Sequence, residues 1–206
     1  MKSKNAKKLL CDALLELMKD KKLEDIKVSE LIEKAGVSRN TYYYHFYKID
    51  DVMAYMIDEF FKEFDEITVK NTSHCEVDDK IQKQLFYNIE LEHCRLFYKH
   101  RDFLMACYRR GLGRKIMLEF IKHLENTRLM TNYYVSSLEK KSMSLKKDVF
   151  YEYYSYRMSL SYYSALECWI ARNFWDSPEE VASYIYRSEM LIIDKYYYTN
   201  NFKPEE

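Results

Sequence analysis

Only three glycines and two prolines occur in 206 residues, and that scarcity limits the folds open to the chain more than any other feature. Strand-rich and doubly wound folds need both residues repeatedly, in tight turns and in glycine-rich loops, so a chain this poor in them is expected to be all-α. The length suits one domain of ordinary size, or a small domain joined to a larger one, with a core able to fold unaided. Apolar residues make up 48% and aromatics 17%, which excludes a disordered chain. No stretch approaches the ~20 uncharged apolar residues that span a bilayer, so a soluble protein without a membrane partner is expected.

The N-terminus, MKSKNAKKLLCDALLELMKD, carries early lysines, but Asp12, Glu16 and Lys19 interrupt its apolar residues. A secretory leader needs an unbroken apolar stretch there, so a cytoplasmic protein is expected. Five cysteines (Cys11, Cys75, Cys94, Cys107 and Cys168) form no C-x-x-C pair and read as reduced thiols acting as small buried apolar residues. Net charge is zero overall but unevenly spread: residues 1–48 hold 11 Lys+Arg against 7 Asp+Glu, and residues 49–79 hold 2 against 10. Such asymmetry can orient a protein on a polyanion, and it equally fits solvated helix faces.

Ala6, Leu9, Leu10, Ala13, Leu14, Leu17 and Met18 recur at the spacing of one helix face and predict a first helix. Val28, Leu31, Ile32 and Ala35 predict a short second helix, ended by Gly36 in the left-handed conformation that suits a helix C-terminus. Ser38 then offers a hydroxyl to the free backbone N–H groups of a third helix starting at Arg39. Two short helices joined by so tight a turn match a helix-turn-helix, and they also match an ordinary helical hairpin. Side chains on the third helix favour the former. Arg39 and Asn40 stand in its first turn and can make bidentate bonds to guanine or adenine. Thr41, Tyr43, His45 and Lys48 supply donors for phosphate oxygens. Tyr42 and Phe46, four apart, can face the other helices.

The first helix, the run Val28–Ala35, AGVS at 35–38 and TYYYHF at 41–46 together resemble the DNA-binding domain of the TetR family of bacterial transcriptional regulators. YYYHF followed by Ile and Asp is also similar to a sub-branch that includes regulators linked to dihydroxyacetone kinase. The resemblance implies a DNA-binding head at 1–48 that contacts a double-stranded operator through Lys27, Ser29, Ser38, Arg39, Asn40, Thr41, Tyr43, His45 and Lys48. It implies an effector-binding and dimerisation domain at 49–206. Two positions depart from the pattern. The family often has Thr at the start of the second helix and Lys three residues after the Phe, where this chain has Lys27 and Ile49, with Lys48 one place earlier. Lys27 offers no capping oxygen, although Glu30 can still make half a capping box.

Val52, Met53, Met56, Ile57, Phe60, Phe61 and Phe64 predict a fourth helix over about 50–70, with Asp50 and Asp51 at its positive end. Further helical patterns run over about 80–100, 102–109, 113–138, 146–173 and 178–198, giving about nine helices. Phe150–Ile170 carries only Glu152, Arg157 and Glu167 as charges and has no polar face, so it is expected to be buried on more than one side. Ser177, Pro178 and Glu180 form the start of the last helix. By resemblance the last two helices pair with those of a second copy, through Tyr154, Met158, Tyr162, Ala165, Trp169, Ile185 and Ile192.

Aromatic and apolar residues of the middle helices are expected to pack as core. By resemblance some of them, drawn from Phe86, Phe97, Phe103, Tyr108, Met117, Phe120 and Tyr134, line a pocket for an unidentified small-molecule effector. Tyrosine hydroxyls there favour a neutral aromatic or lipid-like compound. Glu90 and His93, with Cys94 and His100 nearby, form a single E-x-x-H pair, too few ligands for a di-iron bundle. No phosphate-binding glycine loop, nucleophile elbow or zincin motif is present. Neither cofactor, metal nor enzymatic activity is expected. The reading is a ligand-responsive repressor that binds a palindromic operator as a homodimer; the alternative is a TetR-fold coactivator that binds another protein instead of DNA.

Overall fold

A computed structural model describes residues 2–72, 79–126 and 149–199. Among them are nine α-helices and no strand, as the glycine and proline scarcity predicts. The helices are α1 Lys2–Met18, α2 Val28–Ala35, α3 Arg39–His45, α4 Ile49–Thr72, α5 Asp79–Lys99, α6 Arg101–Arg109, α7 Gly113–Asn126, α8 Val149–Ala171 and α9 Pro178–Thr199, with one 3-10 turn at Leu23–Asp25. One start differs from the periodicity. α1 begins four residues before Ala6, because the polar KSKN segment can extend a helix without adding to its apolar stripe. The expected helix over 113–138 is described only to Asn126.

The apolar stripe of α1 places Leu10, Ala13, Leu14 and Met18 in the core, against α2, α3, α4 and α6. α4 runs on through both parts of the molecule. Ile49, Val52 and Met53 are buried beside Leu31, Tyr42 and Phe46 in a cluster that continues through Phe60, Phe61 and Phe64 into the larger helical body. At ~1.5 Å per residue its 24 residues reach ~36 Å. A second tie comes from Arg110, whose guanidinium donates to the carbonyls of Met18 at 3.1 Å and Lys19 at 2.9 Å. A cation there meets the negative end of the α1 dipole and fills two of its otherwise unbonded carbonyls.

The body is held largely by rings. Phe60 meets Phe97 edge-on at 5.1 Å, Phe120 stacks on Tyr162 at 5.4 Å, and the His93 imidazole stacks on Phe64 at 3.8 Å. Gly111, at φ 76°, takes the left-handed conformation that ends α6, and the Leu112 N–H reaches back to the Cys107 carbonyl at 2.9 Å. After α8, Asn173 and Phe174 are both left-handed, at φ 56° and 54°. That strain is over-determined by the Phe174 N–H bonding the Trp169 carbonyl at 3.0 Å and by the Trp169 indole donating to the Asp176 carbonyl at 2.9 Å. The expected capping box opens α9: Ser177 N–H donates to Glu180 at 2.8 Å, and Glu180 N–H donates to Ser177 Oγ at 3.3 Å.

Cys94 and Cys107 are buried, and Cys11 is half-buried. Burial pushes the Cys11 and Cys107 thiols up to about 12. Cys168 is a correction to the buried-thiol expectation, since it lies exposed on the outer side of α8; a helix that is apolar all round does not reveal which side its own core will cover. Cys75 lies outside the described residues.

His93 and Glu90, one turn apart on α5, are both buried. His93 Nε2 lies 3.2 Å from Thr68 Oγ1 and 3.3 Å from the Phe64 carbonyl oxygen. Burial lowers His93 from 6.5 to about 3, and burial raises Glu90 from 4.5 to about 8. The unfolded chain therefore takes up a proton at residue 93 as pH falls from 6.5 toward 3, where the folded chain does not, and stability drops over that range. Glu90 acts in the opposite sense, because the folded state keeps a proton that the unfolded state releases, so stability drops as pH rises from 4.5 through about 8. Thermal melts followed by circular dichroism should show both limbs, the acid one weakened in His93→Gln and the alkaline one in Glu90→Gln.

Candidate nucleic-acid interface

The α2–α3 unit is built from local chemistry. Leu31 and Ala35 bury one side of α2, with Val28 and Ile32 packed beside them. Lys27 precedes the helix in extended conformation, and its N–H donates to Glu30 Oε2 at 3.2 Å. As a donor only, the Lys27 side chain cannot supply the other half of a capping box. Lys21 holds the other oxygen of Glu30 at 2.8 Å. This hydrogen bond, helped by the one from the Lys27 backbone, lowers the Glu30 pKa.

Gly36 ends α2 at φ 63°, ψ 30°, and the Val37 N–H bonds back to the Ile32 carbonyl at 3.3 Å. A Cβ on Gly36 would meet nothing within 4 Å, so the requirement for glycine is its left-handed backbone and not a lack of room. Two residues later, Ser38 Oγ accepts the Thr41 N–H at 3.1 Å and lies 2.8 Å from Thr41 Oγ1. The turn between helices is thus three residues long.

Tyr42 anchors α3. It is 0% exposed, meets Tyr43 edge-on at 5.1 Å, and lies 6.3 Å from Phe46. Burial pushes its phenol up to about 12, and the hydroxyl has no hydrogen-bond partner. Phe46 sits 5.8 Å from the Tyr55 ring, over which the Lys7 ammonium is placed at 4.3 Å. With Tyr42 turned inward, helix geometry of ~100° per residue puts Arg39, Tyr43, Asn40 and Tyr44 in that order along one arc of ~140°, which starts ~60° from Tyr42 and ends on the side opposite it. All four are exposed. Arg39 lies 5.7 Å from the Tyr43 ring, a cation–π contact that orients the guanidinium along the arc.

Of the other residues named from sequence, Lys27, Ser29, Ser38 and Lys48 are exposed, and Thr41 and His45 are half-buried. Asp51 Oδ2 accepts the N–H groups of Tyr47 at 3.0 Å and Lys48 at 3.1 Å, which fixes the link from α3 into α4. Ile49 is buried in the core and points away from any ligand of the head. Two exposed tyrosines carry no role assigned from sequence. Tyr44, 80% exposed, shares the arc with Asn40, and Tyr47, 86% exposed, stands just beyond it. The available signal was the helical wheel: once Tyr42 is fixed as the inward residue, Tyr44 must point out.

The residues named for an effector pocket divide. Phe97, Phe103 and Phe120 are core, Phe86 and Met117 are half-buried, Tyr108 is exposed, and Tyr134 lies outside the described residues. Of those named for a second copy, Tyr162, Trp169 and Ile185 are buried within the protomer and Ala165 is half-buried. The side chains of Tyr154, Met158 and Ile192 lie outside the described residues. Among the described residues no three His, Cys, Asp or Glu side chains converge as a metal site, and no helix is long and apolar enough to cross a membrane.

No family model matches the chain, and no curated protein sequence does. Among solved structures it is similar to the dihydroxyacetone kinase operon activator DhaS, with a TM-score of 0.62 over 92% of this chain and 96% of that one at 17% sequence identity. At that identity the likeness is one of fold alone: a small helical head carried on a larger helical body.

The caps give a direct check on this construction. Ser38→Ala should destabilise the chain by ~1 kcal/mol, the usual cost of losing an N-cap hydroxyl. Gly36→Ala should cost ~1 to 2 kcal/mol through its left-handed backbone. Urea unfolding with an unchanged slope would register both.

Proposed function

We propose that this chain is a sequence-specific DNA-binding transcription regulator whose α3 enters the major groove of an operator. The observation that carries the reading is the exposed arc of Arg39, Asn40, Tyr43 and Tyr44, set on a short helix whose opposite side is locked inward by Tyr42. Arg39 and Asn40 occupy the first turn, where side chains of a groove-bound helix meet base edges. Tyr43, His45, Lys48 and Lys27 contact phosphates. Thr41 and Ser38 serve first as the cap of α3, and any contact they make to DNA is secondary to it. Tyr44 extends the base-facing edge beside Asn40.

A seven-residue helix reads too few base pairs for useful affinity, so the regulator acts as a homodimer on two half-sites. The outer sides of α8 and α9 form the joint: Ser161, Ser164, Cys168 and Tyr184 are exposed there, beside Ala165. A small-molecule effector bound in the body changes the spacing of the two heads, a coupling between distant sites. The protein works in the cytoplasm without a cofactor. Repression by occupancy of the operator is the mode proposed. Activation is the second reading, favoured by the name of the similar structure, an operon activator; transcripts of the regulated genes rise on deletion of this one under the first reading and fall under the second.

Binding to the DNA upstream of the gene, measured by fluorescence anisotropy at two salt concentrations, tests the reading. Affinity should fall steeply with salt. Arg39→Ala should cost ~1 to 3 kcal/mol and relax base preference, whereas Lys48→Ala should weaken every sequence alike and lower the salt slope by ~1. Absence of binding to upstream or genomic fragments at low salt would leave the coactivator alternative in its place.

A further inference from the structure

Arg101, Arg109 and Arg110 line a cleft of about 520 Å³ walled by α6, the end of α1 and the turn after α8. Each guanidinium is tethered, and each by neutral groups alone. Arg101 Nη1 donates to the Tyr98 carbonyl at 3.1 Å, with its guanidinium 4.7 Å from the centre of the Tyr98 ring. Arg109 Nη2 donates to Asn173 Oδ1 at 3.2 Å, and Arg110 donates to the Met18 and Lys19 carbonyls. The carboxylates of the neighbouring elements are engaged by other cations. Glu16 bonds Lys19 at 2.6 Å, Asp176 bonds Arg172 at 3.1 Å, Glu179 bonds Arg95 at 2.9 Å, and Glu63 bonds Lys99. Asp102 is the one acid among the described residues that line the cleft.

Three arginines against one aspartate leave the cleft positive in a chain whose net charge is zero. Its polar atoms are also nearly all donors: guanidinium N–H groups and the side-chain amide of Asn173, whose oxygen Arg109 already occupies. Donors in excess of acceptors match an acceptor-only ligand, and planar guanidinium forks match the oxygens of a phosphate. A cation would meet three like charges there. A neutral apolar compound would find Met18, Ala106 and Phe174 already buried in the core. Because the guanidiniums are tethered before anything binds, little side-chain freedom is lost when an anion enters. Arg101, Met105 and Arg109 are spaced four apart along one face of α6. The two arginines stand ~12 Å apart at ~1.5 Å per residue, so an occupant lying over Met105 is within reach of both long side chains.

We infer that the cleft between α1, α6 and the α8–α9 turn is a binding site for a phosphate-bearing small molecule, its phosphate oxygens held by Arg101, Arg109 and the remaining N–H groups of Arg110. The cleft lies where Arg110 joins the end of α1 to α6, so its occupant fastens head and body to each other. It is separate from α3 and from the outer sides of α8 and α9, and it stands whether or not α3 reads DNA.

Isothermal titration of the full chain with inorganic pyrophosphate, at constant ionic strength, tests the assignment. Arg109→Gln removes an exposed side chain and leaves the core of α6 intact; it should weaken pyrophosphate about tenfold or more, the usual contribution of a charge-assisted hydrogen bond. Arg101→Gln should do the same. Arg39→Ala and Lys48→Ala, both on the head, should leave pyrophosphate affinity unchanged, which separates the cleft from the phosphate contacts proposed for DNA. Operator affinity measured without pyrophosphate should be unchanged in Arg109→Gln, as a site for a free small molecule requires. Absence of pyrophosphate binding, an affinity indifferent to both Arg101→Gln and Arg109→Gln, or one lost in Arg39→Ala would overturn the assignment, the last by placing the anion on the DNA-reading face. A loss of operator affinity in Arg109→Gln would overturn it too, by making the cleft a contact for the nucleic-acid backbone.

Discussion

The apolar seam along α4 ties the two parts of the molecule together, packing against α1 at one end and against α5 and α7 at the other. Ile49, Val52 and Met53 close the floor of the head, and Phe60, Phe61 and Phe64, about two and three turns further on, form the centre of the body. Fully burying a side chain of this size is worth ~1.5 to 3 kcal/mol, so six such residues on one helix outweigh any single hydrogen bond or ion pair in the molecule. Because the seam is continuous, the head is joined to the body through packed side chains as well as through the chain itself. Arg110, clamped on the last carbonyls of α1, adds a second rigid contact between the two parts.

The seam also explains why the head can be so small. A helix of seven residues has no stability of its own in water, and α3 depends on Tyr42 being wholly buried against neighbours that α1, α2 and α4 supply. The buried phenol hydroxyl is left without a partner, a cost accepted for the volume of the ring. Its inward orientation then turns Asn40 and Tyr44 outward, with Tyr43 and Arg39 on the same exposed arc.

Much of this was legible in the sequence because it rests on short-range rules. Glycine at 36 followed by serine at 38 specifies a left-handed stop and a new N-cap, and both occur. Ser177 with Glu180 is equally local. What escaped depends on which side of an element its own core covers. α8 is apolar all round, so nothing in its periodicity assigns Trp169 to the interior and Cys168 to the outside. Tyr44 reads from sequence as pointing away from Tyr42, but nothing local assigns it a role. Glu90 reads as half of an E-x-x-H metal pair, whereas His93 is turned to Thr68 and the Phe64 carbonyl, and Glu90 faces Tyr162 and Glu189 from helices some 70 and 100 residues away in sequence. Long-range pairings of that kind leave no local pattern.

The central claim is that α3 of a paired chain reads DNA sequence. Selection of bound duplexes from a random pool, followed by sequencing, tests it most directly. The account predicts enrichment of an inverted repeat whose half-site centres lie about one helical turn or a multiple of it apart, with the enriched bases lost when Arg39 and Asn40 are replaced by alanine. A pool that emerges no different from its input, or an enriched motif indifferent to those two residues, would contradict it.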